Sequence, residues 1–234
     1  MLTLRTIDFA GSETQAPPLS KDEAHVWVVA LDGETPEHLD TLSPAERTRA
    51  SRFTSAAARN HFIQRRCALR TVLSRYTGRC PSAIAFKENA YGKPELEPQS
   101  EVSFSISHSE SLAVIALTRH ALIGVDIERM RPDGADGRVA ERFFTRNEAF
   151  LIATLNDADR VTAFFNAWTR KEAIVKAIGC GLSISLDAFE VTLRPGDVPA
   201  LLEWNVPDVA HHTWQLLNIE PRPGYVGAIA ITPA

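Results

Sequence analysis

Five residues constrain this chain most: Gly124-Val125-Asp126-Ile127-Glu128. Apolar side chains alternate with carboxylates at a spacing of two, which is the period of a β-strand. On a strand, Val125 and Ile127 point to one side and Asp126 and Glu128 to the other. The apolar pair enters a core while both acids face one polar space. Two carboxylates that close repel, and each raises the other's pKa unless a cation stands between them. A hard cation such as Mg²⁺ answers that need, because it takes carboxylate oxygens and fills its shell with phosphates and waters. The plainer alternative is an edge strand with a wet acidic face.

A second stretch bears on that choice: Trp168-Thr169-Arg170-Lys171-Glu172-Ala173-Ile174-Val175-Lys176. Trp168, Glu172 and Lys176 recur at i, i+4 and i+8, one stripe of a helix. Glu172 before Lys176 is the favourable order for a surface ion pair worth a few tenths of a kcal/mol. The large aromatic on the same stripe argues against full exposure. An acid, a base and a tryptophan on one edge suit a third metal ligand with a phosphate-binding lysine beside it.

The rest of the chain sets bounds. Its 234 residues suffice for one large domain or two small ones. No C-x-x-C pair links Cys67, Cys80 and Cys180, which reads as reduced, cytosolic thiols. No run of 18 apolar residues and no signal peptide is seen, so the expectation is a cytoplasmic protein that does not engage a membrane. The net charge of −4 is uneven: residues 1–122 hold 14 basic and 14 acidic side chains, and residues 123–234 hold 11 and 15.

Residues 1–20 show no clean periodicity and read as a loose start, and His25 to Ala30 reads as a strand. Ser43-Pro44-Ala45-Glu46 carries the marks of a helix start: Ser at the N-cap, Pro at N1, Glu at N3. From Arg47 to Arg79 there are then nine arginines and no acid. Phe62, Ile63, Leu69, Val72, Leu73 and Tyr76 give an apolar side at helical spacing, so a short and a long helix with basic exposed faces are expected. Such a run is costly unless anions offset it. A solvated basic face and arginines paired with distant acids are the plainer readings. Nucleic acid fits poorly with a neutral half, an acidic whole and no nucleic-acid motif. A polyphosphate ligand, an acidic protein partner, or both fit better, since arginine contacts phosphate bidentately.

Asn89 to Pro94 reads as a turn, and Val102 to Ile106 as a strand ending in Ser107-His108-Ser109, where an imidazole and a hydroxyl can face one cleft. Leu112 to Leu117 and Leu122 to Ile127 read as neighbouring strands. Arg131 to Gly137 reads as a flexible loop. Thr145 to Glu148 is a second capping box, which makes Glu148 structural or a neighbour of the metal. A long helix is expected from about Asp159 to Ile178, ended by Gly179 and Gly181. Phe189 to Leu193, Thr213 to Ile219 and Val226 to Ile231 are expected to complete a second sheet. This order predicts an α+β chain of two α/β lobes, 1–122 and 123–234, with a cleft between them.

G-V-D-I-E followed by W-x-x-K-E-A-x-x-K, here residues 124–128 and 168–176, resembles the joint signature of the 4′-phosphopantetheinyl transferases. The resemblance is to their single-chain, surfactin-synthetase-type branch and runs from about Ser43 to about Leu193. It implies two similar lobes in a pseudo-twofold arrangement, a monomer, and coenzyme A in the cleft. It implies that the lysine of Gly92-Lys93-Pro94 contacts coenzyme A, and that Ser107 and His108 bind its phosphates. Ser105 stands where the family usually has Asn.

On that resemblance the expected reaction is transfer of the phosphopantetheine arm of coenzyme A to a serine of an acyl, peptidyl or aryl carrier protein, with 3′,5′-ADP released. Asp126, Glu128 and Glu172 would hold Mg²⁺ or Mn²⁺. Lys176 and His108 would contact the pyrophosphate, Arg49 with Arg47 and Lys93 the 3′-phosphate, and Glu172 would be the base. Two alternatives are a non-catalytic coenzyme A-binding module and a Mg²⁺-dependent nucleotide pyrophosphate hydrolase.

Overall fold

The computed structural model describes residues 2–9, 16–33, 39–207, 209 and 212–232. They sort into two units: residues 1–88 with 94–120, and residues 89–93 with 121–234. The segment 89–93 therefore goes with the second unit, whereas the division at 122/123 assigned it to the first.

The first unit holds β1 (Thr3–Asp8), β2 (Glu23–Ala30), α1 (Pro44–Ser51), α2 (Ala56–Thr77), β3 (Ala85–Glu88), β4 (Pro94–Glu97), β5 (Val102–Ser109) and β6 (Leu112–Arg119). Four strands make a sheet in the order β1-β2-β6-β5, and β3 and β4 form a separate hairpin. The expected loose start is in part a strand: β1 pairs in parallel with β2, Thr3 opposite Glu23 through Asp8 opposite Val28. Most of β1 is exposed. An edge strand held by backbone bonds needs no apolar alternation to exist, so its sequence does not announce it.

Both helix starts in the basic run follow from local chemistry. Ser43 Oγ accepts from the Glu46 amide, and Glu46 Oε2 accepts from the Ser43 amide at 2.8 Å. Ser55 caps α2, which ends on Gly78 at φ 69°. On α2, Ala68, Leu69, Val72 and Leu73 pack with Trp27, Val29, Phe104, Ile115 and Leu117 in this unit's core. The arginines are not all on exposed faces. Arg70 is buried, with its Nε on Glu46 at 2.8 Å and its Nη1 on the Ile84 carbonyl at 2.7 Å, and Arg66 also pairs with Glu46. Burial works against the charge on Glu46, but Arg66, the Ser43 amide and Arg70 outweigh it and hold that carboxyl below its usual range.

The second unit holds β7 (Ile123–Arg129), α3 (Gly137–Phe143), α4 (Arg146–Thr154), α5 (Asp157–Ile178), β8 (Phe189–Val191), β9 (Leu201–Trp204), β10 (Gln215–Ile219) and β11 (Tyr225–Ile231). Its main sheet has the order β10-β11-β7 and is antiparallel. Three expectations are corrected here. β7 is not a partner of β6 but pairs with β11. β8 does not join the main sheet; it forms a hairpin with β9. The stretch expected as a loop at 131–137 holds a 3-10 turn at Pro132–Gly134 and leads into α3. Gly179, at φ 79°, caps α5 alone, while Gly181 opens a further 3-10 turn.

Gly124 sets how closely α5 lies on β7. A Cβ there would stand 1.9 Å from the Ala173 carbonyl oxygen and 2.4 Å from the Ala177 amide nitrogen. These are backbone atoms and cannot swing aside, so any side chain pushes the helix off the strand. Gly124→Ala is expected to lower stability by about 1–3 kcal/mol, the usual range for overpacking. It is also expected to lower turnover by displacing Glu172 and Lys176. Chemical denaturation and steady-state kinetics on one preparation check both, and wild-type values in both would overturn the account.

Candidate active site

β7 sorts its residues as the alternation demands. Val125 and Ile127 are fully buried, Asp126 is 4% exposed and Glu128 is half-buried. Gly124, Asp126 and Glu128 share one face by the strand period, and Gly124 meets α5 there. That face thus looks onto the helix carrying Glu172 and Lys176. Lys176 Nζ donates to Asp126 Oδ1 at 2.5 Å, so the ammonium reaches across to the strand. Burial raises the pKa of Glu172; Asp126 and Glu128 raise it further, and Lys176 acts in the opposite sense. Three carboxylates and one ammonium from two distant stretches therefore share one neighbourhood in this unit. Trp168 stacks on Phe164 with centroids 6.1 Å apart, which seats this stripe of α5 in an aromatic cluster with Phe144.

The carboxylates suit a hard divalent cation by donor type. As placed, no three carboxylate, imidazole or thiol groups among the described residues stand close enough to hold one. Lys176 supplies positive charge at Asp126 instead.

Glu148, left open between a structural role and the metal's neighbourhood, is structural. It is 1% exposed, accepts from the Thr145 amide at 2.9 Å and the Val191 amide at 2.9 Å, and pairs with Lys171 Nζ at 2.8 Å. Lys171 is fully buried and also donates to the carbonyls of Leu186, at 2.7 Å, and Phe189. Burial pushes the Lys171 pKa down and Glu148 opposes it. Lys171 precedes Glu172, so this anchor fixes the rotation of α5 about its axis. The sequence signal was faint: Lys171 lies three residues from both Trp168 and Ile174, on the face that turns inward.

The segment 89–93 closes the far end of α5. Asn89 Nδ2 donates to the Gly179 carbonyl at 2.9 Å, and Lys93 Nζ to the Ala177 carbonyl at 2.8 Å. A lysine at a helix C-terminus satisfies free carbonyls and complements the dipole. Gly92 makes the turn possible at φ 87°, and Pro94 begins β4. A contact from Lys93 to coenzyme A would be made beside this cap or in place of it.

The remaining candidates lie in the first unit. Arg49 is exposed on α1, its guanidinium 5.4 Å from the Phe62 ring centroid. With Ala45, Thr48, Arg52 and Phe53 it lines a pocket of about 580 Å³. Arg47 donates to the Leu42 carbonyl at 2.5 Å. Ser107 and His108 are not side by side as a pair aimed one way. β5 continues through Ser109, so successive side chains alternate, leaving Ser107 buried and His108 exposed on opposite faces. Ser105 is buried on the Ser107 face.

Residues 122–230 match the 4′-phosphopantetheinyl transferase superfamily, and residues 32–120 match the 4′-phosphopantetheinyl transferase N-terminal family. The 4′-phosphopantetheinyl transferase HetI of Nostoc sp. is 36% identical over 219 residues, covering 91% of this chain and 89% of that protein. The chain belongs to the 4′-phosphopantetheinyl transferase family. The transferase Sfp of Bacillus subtilis is 29% identical, with 84% of each chain covered. The putative transferase slr0495 of Synechocystis sp. is 32% identical over 168 residues, covering 70% of this chain and 68% of that protein. A solved holo-(acyl-carrier-protein) synthase from Bacillus anthracis in complex with CoA aligns with 48% of the chain and 95% of its own length, at 24% identity and a TM-score of 0.37. In this phosphopantetheinyl transferase the two family matches meet at residues 120–122, beside the break between its units. All three cysteines are free thiols. Among the described residues, no helix of the transferase is long and apolar enough to cross a membrane.

Proposed function

We propose that this transferase moves the 4′-phosphopantetheine arm of coenzyme A onto a serine hydroxyl of an acyl, peptidyl or aryl carrier protein and releases 3′,5′-ADP. The observation that carries this reading is the cluster on β7 and α5: Asp126 bonded to Lys176, with Glu172 beside Asp126 and Glu128 and its pKa raised. Attack of a hydroxyl on a pyrophosphate phosphorus needs a base for the proton, positive charge for the phosphate oxygens and fixed geometry. Glu172 is the base: burial and its two acidic neighbours make it a better proton acceptor than an ordinary carboxylate. Lys176 has its partly exposed ammonium at the same place to offer a pyrophosphate oxygen, with His108 as a second contact. Asp126, Glu128 and Glu172 would hold Mg²⁺ or Mn²⁺, which on binding neutralises pyrophosphate charge. Arg49, with Arg47 and Lys93, would hold the 3′-phosphate, and Gly92, Pro94 and Ser107 would line the coenzyme A site.

Each unit sets a 22-residue helix beside its main sheet, α2 in the first and α5 in the second. That likeness supports the two similar lobes that the family resemblance implies.

Incubation with coenzyme A, Mg²⁺ and a panel of apo-carrier proteins, read by intact mass, tests the reading. A carrier heavier by one phosphopantetheine is expected. Free phosphopantetheine with unmodified carrier would mean a pyrophosphate hydrolase, and neither product would mean a binding module. The Arg49 contact has its own test. Arg49→Ala is expected to raise the KM for coenzyme A about tenfold to a hundredfold, the worth of a hydrogen bond between charged groups. The KM for dephospho-coenzyme A should move far less, because the lost contact has no phosphate to meet. An equal rise for both would overturn the 3′-phosphate assignment.

A further inference from the structure

The nine arginines between Arg47 and Arg79 have different destinations. Arg66 and Arg70 are answered by Glu46, Arg79 by the carbonyls of Glu97 and Pro98, and Arg47 by that of Leu42. Arg75 lies over the Trp27 ring at 4.9 Å. Arg65 is different. It is half-buried, and its Nε is shut off from solvent with no acceptor. No carboxylate among the described residues pairs with it. An N–H that neither water nor protein satisfies carries a desolvation penalty and calls for an explanation. Arg49 lies over the ring of Phe62, one turn before Arg65 on α2, and burial, then Arg66, then Arg49 push the Arg65 pKa down to about 10. Glu46 answers the charge of Arg66 but not that of Arg49, which among the described residues lies over the face of Phe62 and pairs with no carboxylate.

Two guanidinium groups without a carboxylate partner among the described residues, one on α1 and one on α2, thus repel, and one holds an unused buried donor. A phosphate monoester dianion supplies what both lack: several acceptor oxygens and two negative charges, in a shape that two planar forks can clasp. Coenzyme A carries one such group, at its 3′ position. Its pyrophosphate is diesterified and belongs to the reacting end assigned to Lys176. We propose that Arg65 binds the 3′-phosphate of coenzyme A together with Arg49 and so selects the phosphorylated form over dephospho-coenzyme A. This deepens the proposed function and rests on it for the identity of the ligand.

The probes are 3′,5′-ADP and 5′-AMP, which share the adenosine and the 5′-phosphate and differ at the 3′ position. Calorimetric titration of wild type is expected to show tighter binding of 3′,5′-ADP. Arg65→Gln should erode that preference about tenfold to a hundredfold by weakening 3′,5′-ADP and not 5′-AMP. Arg65→Lys should restore part of it, since a lysine returns the charge without the fork. Without ligand, Arg65→Gln should melt no lower than wild type, because it removes an unpaired buried cation. A wild-type preference in Arg65→Gln overturns the proposal, as does equal weakening of both nucleotides with a lowered melting midpoint, which marks a structural role. Arg65-dependent binding of 3′,5′-ADP by a wild type that modifies no carrier would uphold the phosphate site while removing the functional reading.

Discussion

Asp126→Ala is expected to give no phosphopantetheine transfer at any Mg²⁺ concentration while remaining folded. Asp126 is the most buried of the three carboxylates, and it is the one that holds Lys176. Its loss relieves repulsion on Glu128 and Glu172, and Lys176, at 32% side-chain exposure, can turn to water. Circular dichroism and intact-mass transfer assays check the two halves of this expectation. Measurable turnover in excess chelator by wild type would remove the metal from the account. Glu172→Gln separates the base from the ligand. As the base, Glu172 is worth about a hundredfold to ten-thousandfold in kcat, and added Mg²⁺ should not recover it; rescue by Mg²⁺ would leave Glu172 as a ligand only. Stability gives an independent readout. A carboxyl whose folded pKa is raised contributes stability fully below its unfolded pKa and loses that contribution as pH rises through the folded pKa. Above the folded pKa the metal-free wild type has lost it, so on the alkaline side Glu172→Gln should melt higher than wild type in chelator, and the gap should close on acidification.

Lys171→Met is expected to lower stability by about 3–5 kcal/mol, the usual result of breaking a buried ion pair from one side. The change leaves Glu148 charged in the interior and strips the carbonyls of Leu186 and Phe189 of their donor. Three elements meet at that one ammonium: α5 through Lys171 itself, α4 through Glu148 at its N-terminal cap, and β8 through Phe189. Lys171→Met with Glu148→Gln together should recover part of the loss, because the stranded charge is gone. Urea unfolding of the two single variants and the double variant measures the coupling. Additive losses would show that Lys171 and Glu148 act separately. Because Lys171 precedes Glu172, kcat should fall in the single variant even well below its melting range.

What the sequence by itself determined is what depends on neighbours along the chain. The capping boxes at Ser43 and Thr145 close with the bonds their spacing implies, because both partners lie within four residues. Gly179 ends α5 because a left-handed residue is needed there, and the alternation at 124–128 sorts core from site because strand geometry leaves no other choice. The candidate residues Asp126, Glu128, Glu172 and Lys176 were legible for the same reason: each pair is set by one element's period. Tertiary structure alone decided which strands pair. An apolar strand such as β6 or β7 accepts any partner in register, so nothing local says that β7 takes β11 and that β8 stands apart with β9. It also decided the fate of identical side chains. Among the arginines of one run, Arg70 is buried against Glu46, Arg49 faces a pocket and Arg65 is left with an unused donor. Lys171 and Lys176, five residues apart on one helix, go to a core ion pair with Glu148 and to Asp126 on β7. Charge and helical phase are written in the sequence, but what waits on each face is supplied by parts of the chain tens of residues away. Burial and partner therefore separate these side chains only once the chain has folded.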